Sequence, residues 1–432
     1  MEISPRKTID DATCTRCGCL CDDITLVVVG DRIVEAKADC SLGEAWFLSH
    51  AIEPRPACLI DGQPASVDEG VVRAAEILTR ARFPLVYGLS VTTCEAQQMA
   101  VAIADWIGGT VDTTASLGHG RAIVGFQAVG KVTATLGEVR HRADLVIYWG
   151  GIPTASHPRH TTKYSLMPKG AWVPRGREDR TCVVVDVQPA EHDPNADLFL
   201  SIRPQADFEA LATLRALAKG LPLDPAAIES QTGVPLAAWQ DLMDRMKRAR
   251  FGAIFFGEGL TASRGGHLNA EALLALTRDM NAHTRFVCLS IAGHGNVTGA
   301  DNVLAWRTGF PFGVNLSRGY PRFSPGEYTA CDMLRRREAD AALILAADPL
   351  SDFPPAARDH LASLPYVALG PQETPTTRQA TVAFAVATFG INVPGTVYRM
   401  DDVALPLRPA VESPLPSDLE ILTRLERRIR GH

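Results

Sequence analysis

The sequence predicts an α/β protein in which several parallel or mixed sheets are flanked by helices, with a small Cys-rich β module at the N-terminal end. Three features point there. Short apolar runs, among them PLVYGLS, ADLVIYWGG, FGAIFFGEGL and ADAALILAADP, alternate with longer stretches of helical periodicity. Several of these runs end on glycine or Asp-Pro, as buried parallel strands do where they turn into loops. Five of the ten cysteines fall between residues 14 and 40, beside a hairpin pattern.

Taken in order, ITLVVVGDRIVEAKAD reads as a β-hairpin turning at Gly30-Asp31. With the cysteines it defines a first domain, residues 1–60. The Pro-rich EPRPACLIDGQP leads into a second domain, 61–205. There, residues 67–81 have helical spacing and an acidic first turn, PLVYGLS is a strand and TCEAQQMAVAIADWIG a helix. ADLVIYWGG and TCVVVDV are further strands. A third domain, 206–370, opens with the helices FEALATLRALAKGL and PLAAWQDLMDRMKRA. FGAIFFGEGL is a strand running into a Gly-containing loop, AEALLALTRDMNAH a helix and RFVCLSIAG a strand. Residues 295–330, rich in Gly, Pro and aromatics, read as a long loop region. ADAALILAADP, PYVALG and VAFAVA read as strands, and 371–432 as a C-terminal segment packing back on the core. Ligands of such sheets sit beyond the carboxyl ends of strands. Those ends are Gly88-Leu89-Ser90, Gly150-Gly151-Ile152-Pro153, Gly257-Glu258-Gly259 and Asp348-Pro349.

Composition narrows the classes. The 432 residues are 46% apolar and 21% charged, and the net charge of −6 gives no sign of nucleic-acid binding. No window approaches the roughly 18 apolar residues of a membrane span. MEISPRKTIDD lacks the apolar core of a signal peptide, so the expectation is a cytoplasmic protein without a disulfide framework.

Cys14, Cys17, Cys21 and Cys40 have the spacing C-x2-C-x3-C-x18-C, with Cys19 as a non-ligand inside the run. Four such thiolates can hold a four-iron cluster or a zinc ion, or remain as metal-free thiols. Zinc ribbons favour two C-x2-C pairs, so the spacing itself leans to the cluster. His119, between Gly118 and Gly120, and His294, between Gly293 and Gly295, follow strand ends and point to one shared cleft. His157, Arg159, His160 and Lys163 crowd into ASHPRHTTKYS, an anion site or a solvated basic loop, and Pro158 argues against a helix across it. Arg264 and His267 lie where a strand gives way to a helix start, which favours anions. No Walker loop, Gly-x-Ser-x-Gly elbow or His-Glu-x-x-His motif occurs.

The blocks CTRCGCLCDD, YGLSVTTCEAQ, DTTASLGHG, GEVRHRADLVIYWGGIPTASHPRH, GLTASRGGHLN, GHGNVTG, WRTGFPFGVNLSRGYPRFSPGE, TPTTRQA and GTVYRM resemble the B subunit of formylmethanofuran dehydrogenase, its molybdenum- or tungsten-pterin component. The resemblance covers nearly the whole chain. It implies a molybdopterin oxidoreductase-like fold without the last β-barrel domain. In that family a cysteine in Ala-Ser-Val-Cys-His-Gly holds the metal. This chain reads Ala115-Ser116-Leu117-Gly118-His119-Gly120, so Gly118 stands where the ligand would be. The family's Arg before Gly-His in the 291–299 block is Ala292 here, and Val187-Gln188-Pro189 replaces a basic stretch suited to pterin pyrophosphates. Pro394 stands where the family has Glu in the block ending Tyr398-Arg399-Met400. His119 and Arg264 remain as remnant substrate-side residues.

These departures match a branch of the family in methylotrophic bacteria. Its formyltransferase/hydrolase complex moves a formyl group from tetrahydromethanopterin to a methanofuran analogue and hydrolyses it to formate. The resemblance then implies a non-redox B subunit, without metallopterin, joined to an amidohydrolase-like A subunit and to the C and D subunits. Its role would be assembly, with a formate path beside it. The cysteine quartet would be an empty site, an iron–sulfur cluster remaining open. Two alternatives stand: an active Mo- or W-pterin dehydrogenase component, and a standalone iron–sulfur protein.

Overall fold

The computed structural model describes residues 6–51, 55–150, 153–187, 195–263, 265–291 and 293–431. The chain forms two compact units, Met1–Leu117 with His294–His432, and Gly118–Gly293. This differs from the linear division at 60, 205 and 370. The reason is strand pairing across long sequence separations, which a reading along the chain does not reveal.

The first unit is built on a nine-stranded sheet. Its five central strands are parallel, in the order Thr110–Thr113, Pro84–Gly88, Ala341–Leu345, Tyr366–Gly370, Val382–Ala385. Short antiparallel strands flank them, including Val314–Asn315 beside Thr110–Thr113 and Cys58–Ile60 beside Val382–Ala385. Because side chains alternate across a strand, the same strands feed two cores. Val86, Leu343, Leu345, Val367 and Leu369 meet the helices Val67–Arg80, Cys94–Trp106, Val297–Thr308 and Asp418–Ile429. Leu85, Tyr87, Ile344 and Tyr366 meet the opposite layer, Ala330–Arg335 and Pro355–Ala362. The Val67–Arg80 helix starts at a capping box in which Ser66 and Glu69 exchange hydrogen bonds.

The second unit carries a five-stranded, wholly parallel sheet. Its order is Leu198–Ser201, Thr181–Asp186, Leu145–Trp149, Phe251–Phe256, Arg285–Ser290. Helices Asp207–Ala218, Leu236–Arg248 and Gly266–Met280 bury Leu211, Trp239 and Leu273 against it. Gly125 lets helix Gly120–Val129 approach Gly266–Met280 closely, since a Cβ there would lie 3.1 Å from Ala270.

One sequence expectation fails, and one element is added. Residues 295–330 are not simply loop, because Val297–Thr308 is a three-turn helix with Ala300, Val303 and Leu304 fully buried. Its Gly, Asp and Asn residues masked the periodicity. Ahead of the Ile24–Val29 and Arg32–Lys37 hairpin, Arg6–Ala12 adds a third strand. That strand is almost wholly exposed, so it carries no apolar pattern.

Candidate functional site

Each parallel sheet reverses its winding once. In the first unit the chain runs from Pro84–Gly88 outward to Thr110–Thr113, then resumes on the other side at Ala341–Leu345. The crevice beyond the carboxyl ends at such a reversal is where open α/β sheets hold ligands. The backbone there is strained. Gly88 has φ +116°, and a Cβ on it would meet Leu345 O at 2.2 Å. Leu89 and Ala346, at φ +73° and +47°, occupy the left-handed region without being glycine. The second unit reverses between Leu145–Trp149 and Phe251–Phe256. Gly150 and Gly259 pack backbone against backbone there, and a Cβ on Gly259 would lie 2.5 Å from Gly150 O.

DTTASLGHGRA spans the passage from the first unit to the second. Asp112, at the end of its strand, is fully buried. One carboxylate oxygen accepts from Thr113 N at 3.0 Å and Gly313 N at 2.9 Å; the other accepts from Ser116 Oγ and Ala330 N, both at 2.7 Å. Burial pushes Asp112 up to about 7, against the pull of these four hydrogen bonds. Asp112 thereby fixes the turn Thr114–Ser116 just ahead of Gly118. Gly118 itself is half-buried, and it is not among the residues with positive φ, so its backbone does not require glycine. His119, half-buried, occupies the N-cap of helix Gly120–Val129, its carbonyl accepting from Ala122 N at 2.9 Å. Arg121 donates to the carbonyls of Thr261 at 2.8 Å and Ala262 at 3.1 Å, tying this helix to the 258–263 turn. Arg264 and Ala292 lie outside the described residues, as do Gln188 and Pro189. His267 is in the first turn of helix Gly266–Met280, as expected of a helix start.

His294 belongs to the first unit and His119 to the second. His294 is exposed, and the buried residue of its block is Asn296. Asn296 N donates to Ser90 O at 2.7 Å, Nδ2 donates to Thr92 O at 2.9 Å, and Oδ1 accepts from Tyr398 N at 2.8 Å. Gln97 Nε2 donates to its carbonyl at 3.2 Å. One side chain therefore joins the strained loop after Gly88 to the GTVYRM strand. Neither Asp112 nor Asn296 was singled out in the sequence. The polar runs DTT and GHGN were the available signals, since an Asp or Asn among strand-end glycines often serves buried backbone groups.

The basic block at 155–165 is neither a solvated loop nor free of helix. Pro158 opens a helical turn that continues as a π-helix, His160–Ser165. Proline is tolerated at a first turn because its missing N–H is not needed there. His157, Arg159 and His160 are buried. The His160 ring meets the Phe255 ring edge-on at 4.4 Å, and its Nδ1 lies 3.2 Å from Ser165 Oγ. Burial pushes His160 down to about 3, with the charge of His157 acting in the same direction. The imidazole is a neutral core group rather than an anion ligand. Folded His160 thus binds its proton less readily than the unfolded chain, whose value is about 6.5. Its contribution is complete above about pH 6.5 and lost as pH falls towards 3, by about 1.4 kcal/mol per unit. His160→Phe should flatten the acid limb of the stability profile, measured by urea denaturation between about pH 6 and 4. An unchanged slope would contradict this account.

Around the cysteines, Cys14, Cys19 and Cys21 are buried, and Cys17 and Cys40 half-buried; none of the ten cysteines is in a disulfide. Cys40 caps helix Ser41–Leu48, its sulfur accepting from Gly43 N at 3.3 Å. Gly43 leaves room for two sulfurs, since a Cβ on it would lie 3.3 Å from Cys40 Sγ and 3.5 Å from Cys14 Sγ. Burial, and then the charges of Cys21, Cys17 and Cys40, push the Cys14 thiol well up. A hydrogen bond with Cys19 pulls Cys17 down to about 7. Tetrahedral zinc, with Zn–S bonds of about 2.3 Å, would gather sulfurs within about 3.8 Å of one another. Among the described residues no three Cys, His, Asp or Glu groups are so placed as to hold a metal ion. Cys14 lies near enough to Cys21, Cys17 and Cys40 to be influenced by their charges. The cysteine loop is also no free-standing module. Met400 N donates to Gly18 O at 3.1 Å, Thr13 Oγ1 to Pro406 O at 3.0 Å, and Leu20 is buried with Phe389, Val397 and Leu405.

No family model matches the chain. It is 40% identical over 434 residues to the B subunit of the tungsten-containing formylmethanofuran dehydrogenase 2 of Methanocaldococcus jannaschii, covering 98% of this chain and 99% of that one. The protein of the same description from Methanococcus maripaludis is 37% identical, again over 98% and 99%.

The chain belongs to the family of formylmethanofuran dehydrogenase B subunits.

The B subunit of the formyltransferase/hydrolase complex Fhc from Methylorubrum extorquens is a further relative, 28% identical over 301 residues, 68% of this chain and 75% of its own. The crystal structure of that complex, FhcABCD with methylofuran, matches with a TM-score of 0.72 at 25% identity, over 87% of this chain and 99% of the matched one. Acetylene hydratase from Pelobacter acetylenicus matches at a TM-score of 0.71 over 98% of this chain and 69% of its own. At 10% identity that likeness is of fold alone, and the fold is of the molybdopterin oxidoreductase type that the sequence led us to expect. Among the described residues no helix is long and apolar enough to cross a membrane.

Proposed function

We propose that this chain is the non-redox B subunit of a formyltransferase/hydrolase complex of one-carbon metabolism. The observation that carries the reading is Gly118, a residue without a side chain at the position of the family's metal-ligating cysteine, on a backbone that does not need glycine. The hydrolytic chemistry then belongs to an amidohydrolase-like A subunit. Together the complex moves a formyl group from formyl-tetrahydromethanopterin to a methanofuran analogue and releases formate. This chain contributes assembly with the A, C and D subunits in the cytoplasm, and a formate path along its degenerate cleft, with His119 and Arg264 as remnants there. The match to one chain of FhcABCD over 99% of its length supports it.

A second reading has its own support. Identity is higher to the tungsten-containing dehydrogenases, and it extends over the full chain. Cys14, Cys17, Cys21 and Cys40 would hold an iron–sulfur cluster, which supplies one-electron transfer when bound. Under the first reading such a cluster has no redox partner in this chain, and the quartet stays as metal-free, packing thiols. Elemental analysis of the complex purified from its native host separates the two. We expect tungsten and molybdenum below about a tenth of an atom per chain, where a loaded site holds one. Stoichiometric tungsten or molybdenum, or formate-dependent dye reduction, would overturn the non-redox reading.

A further inference from the structure

The first unit holds a cavity of about 520 Å³ that neither cysteines nor Gly118 line. It opens beyond the carboxyl ends of two adjacent parallel strands, Tyr366–Gly370 and Val382–Ala385, whose following residues form one wall. The other wall is Trp46, in the last turn of helix Ser41–Leu48, with Ser49, His50, Ala51 and Arg55. Strand ends of parallel sheets are where such folds place ligands, and the volume is within the range of small-molecule sites. The position is two strands away from the winding reversal, so this is a separate place in the sheet.

The lining is rich in donors. Trp46 Nε1 and His50 Nε2 are buried atoms without a hydrogen-bond partner, and both residues line the cavity. Native proteins rarely leave such atoms unmatched, and an unmatched pair beside a cavity marks room for a ligand or water. Arg55 adds a guanidinium that is positioned by donating to Pro371 O, a neutral carbonyl, and it has no carboxylate partner among the described residues. The acidic group of the lining, Glu373, is engaged outward by Arg378 at 2.7 Å, both well exposed. Thr388 and Ser413 add hydroxyls. A ring N–H, an imidazole, hydroxyls and a guanidinium together select negatively charged oxygen.

We propose that this cavity binds a small polar molecule through a carboxylate or phosphate group, with Arg55 as the charged anchor and Trp46 and His50 as neutral donors. The site is independent of the non-redox reading. A chain that carried metallopterin would retain it.

The test uses the full chain, titrated with orthophosphate, citrate and, as an ionic control, chloride, by calorimetry and tryptophan fluorescence. One of the two probes should bind saturably below about 10 mM and change the emission. Arg55→Gln should weaken that probe by about tenfold or more, as expected for loss of a charge-assisted contact. Trp46→Phe should remove the fluorescence change while the calorimetric heat remains. Preference for orthophosphate assigns a phosphoryl ligand, and preference for citrate a carboxylate one. Absence of binding by both probes, equal response to chloride, or unchanged affinity in Arg55→Gln would overturn the proposal. Circular dichroism of each variant shows that the fold is retained, and His50→Gln, which preserves a donor, gives a second variant that should bind.

Discussion

Asp112→Ala is expected to destabilise the first unit by about 3–5 kcal/mol, because it strands several buried donors at once. The carboxylate accepts from Thr113 N, Gly313 N, Ser116 Oγ and Ala330 N at 2.7 to 3.0 Å, with no solvent to replace it. Three of these donors are backbone N–H groups, which cannot rotate away. Asp112→Asn should cost less, about 1–2 kcal/mol, since its amide oxygen still serves one pair and its NH2 can donate to Ser116 Oγ. The pH dependence has the opposite sign to that of His160. Burial lifts folded Asp112 to about 7, above the unfolded carboxyl value of about 3.9. Its proton is held by the folded state between those values, so stability from this group is present below about pH 3.9 and lost as pH rises to 7. Asp112→Asn removes that slope. Urea denaturation of the three proteins at several pH values measures both effects. A loss below about 1 kcal/mol for Asp112→Ala would show that the surrounding segments hold themselves in place without the carboxylate.

What the sequence revealed of this fold was the part written in short range. Strands such as Leu145–Trp149 and Ala341–Leu345 are wholly buried and read as apolar runs with glycine or Asp-Pro at their ends. Which runs pair is a long-range matter. Pro84–Gly88 lies beside Ala341–Leu345, more than 250 residues away, and nothing in either segment names the other. The two units therefore interleave in sequence, and the linear domain boundaries missed them. The candidate site follows the same rule. Gly118 was legible because a family pattern gave it a reference residue. Asp112 and Asn296 were not, since an Asp or Asn in a turn is ordinary until its buried partners are known. His160 was misread for the complementary reason. A His, an Arg and a Lys close in sequence look solvated until the rings of Tyr148 and Phe255 are found around one of them.

Asn296→Ala is expected to cost about 3–4 kcal/mol and to loosen the loop after Gly88. The side chain is completely buried and works in both directions, donating to Thr92 O and accepting from Tyr398 N. Alanine leaves a buried carbonyl and a buried N–H unmatched and opens a small cavity besides. The sharper variant is Asn296→Asp. It has the same shape and still accepts from Tyr398 N, but its second oxygen faces Thr92 O, an acceptor against an acceptor, and burial adds the cost of a desolvated charge. Aspartate should therefore be no better than alanine at neutral pH, and should recover as pH falls and its carboxyl gains a proton to donate to Thr92 O. Hydrogen exchange of residues 88–97 and 395–399 reads the local effect, since this one amide joins those segments. If Asn296→Asp matched the parent protein at neutral pH, the donated bond to Thr92 would be dispensable, and the joining of the strained loop to the GTVYRM strand would have to rest on Asn296 N, on Gln97 and on packing.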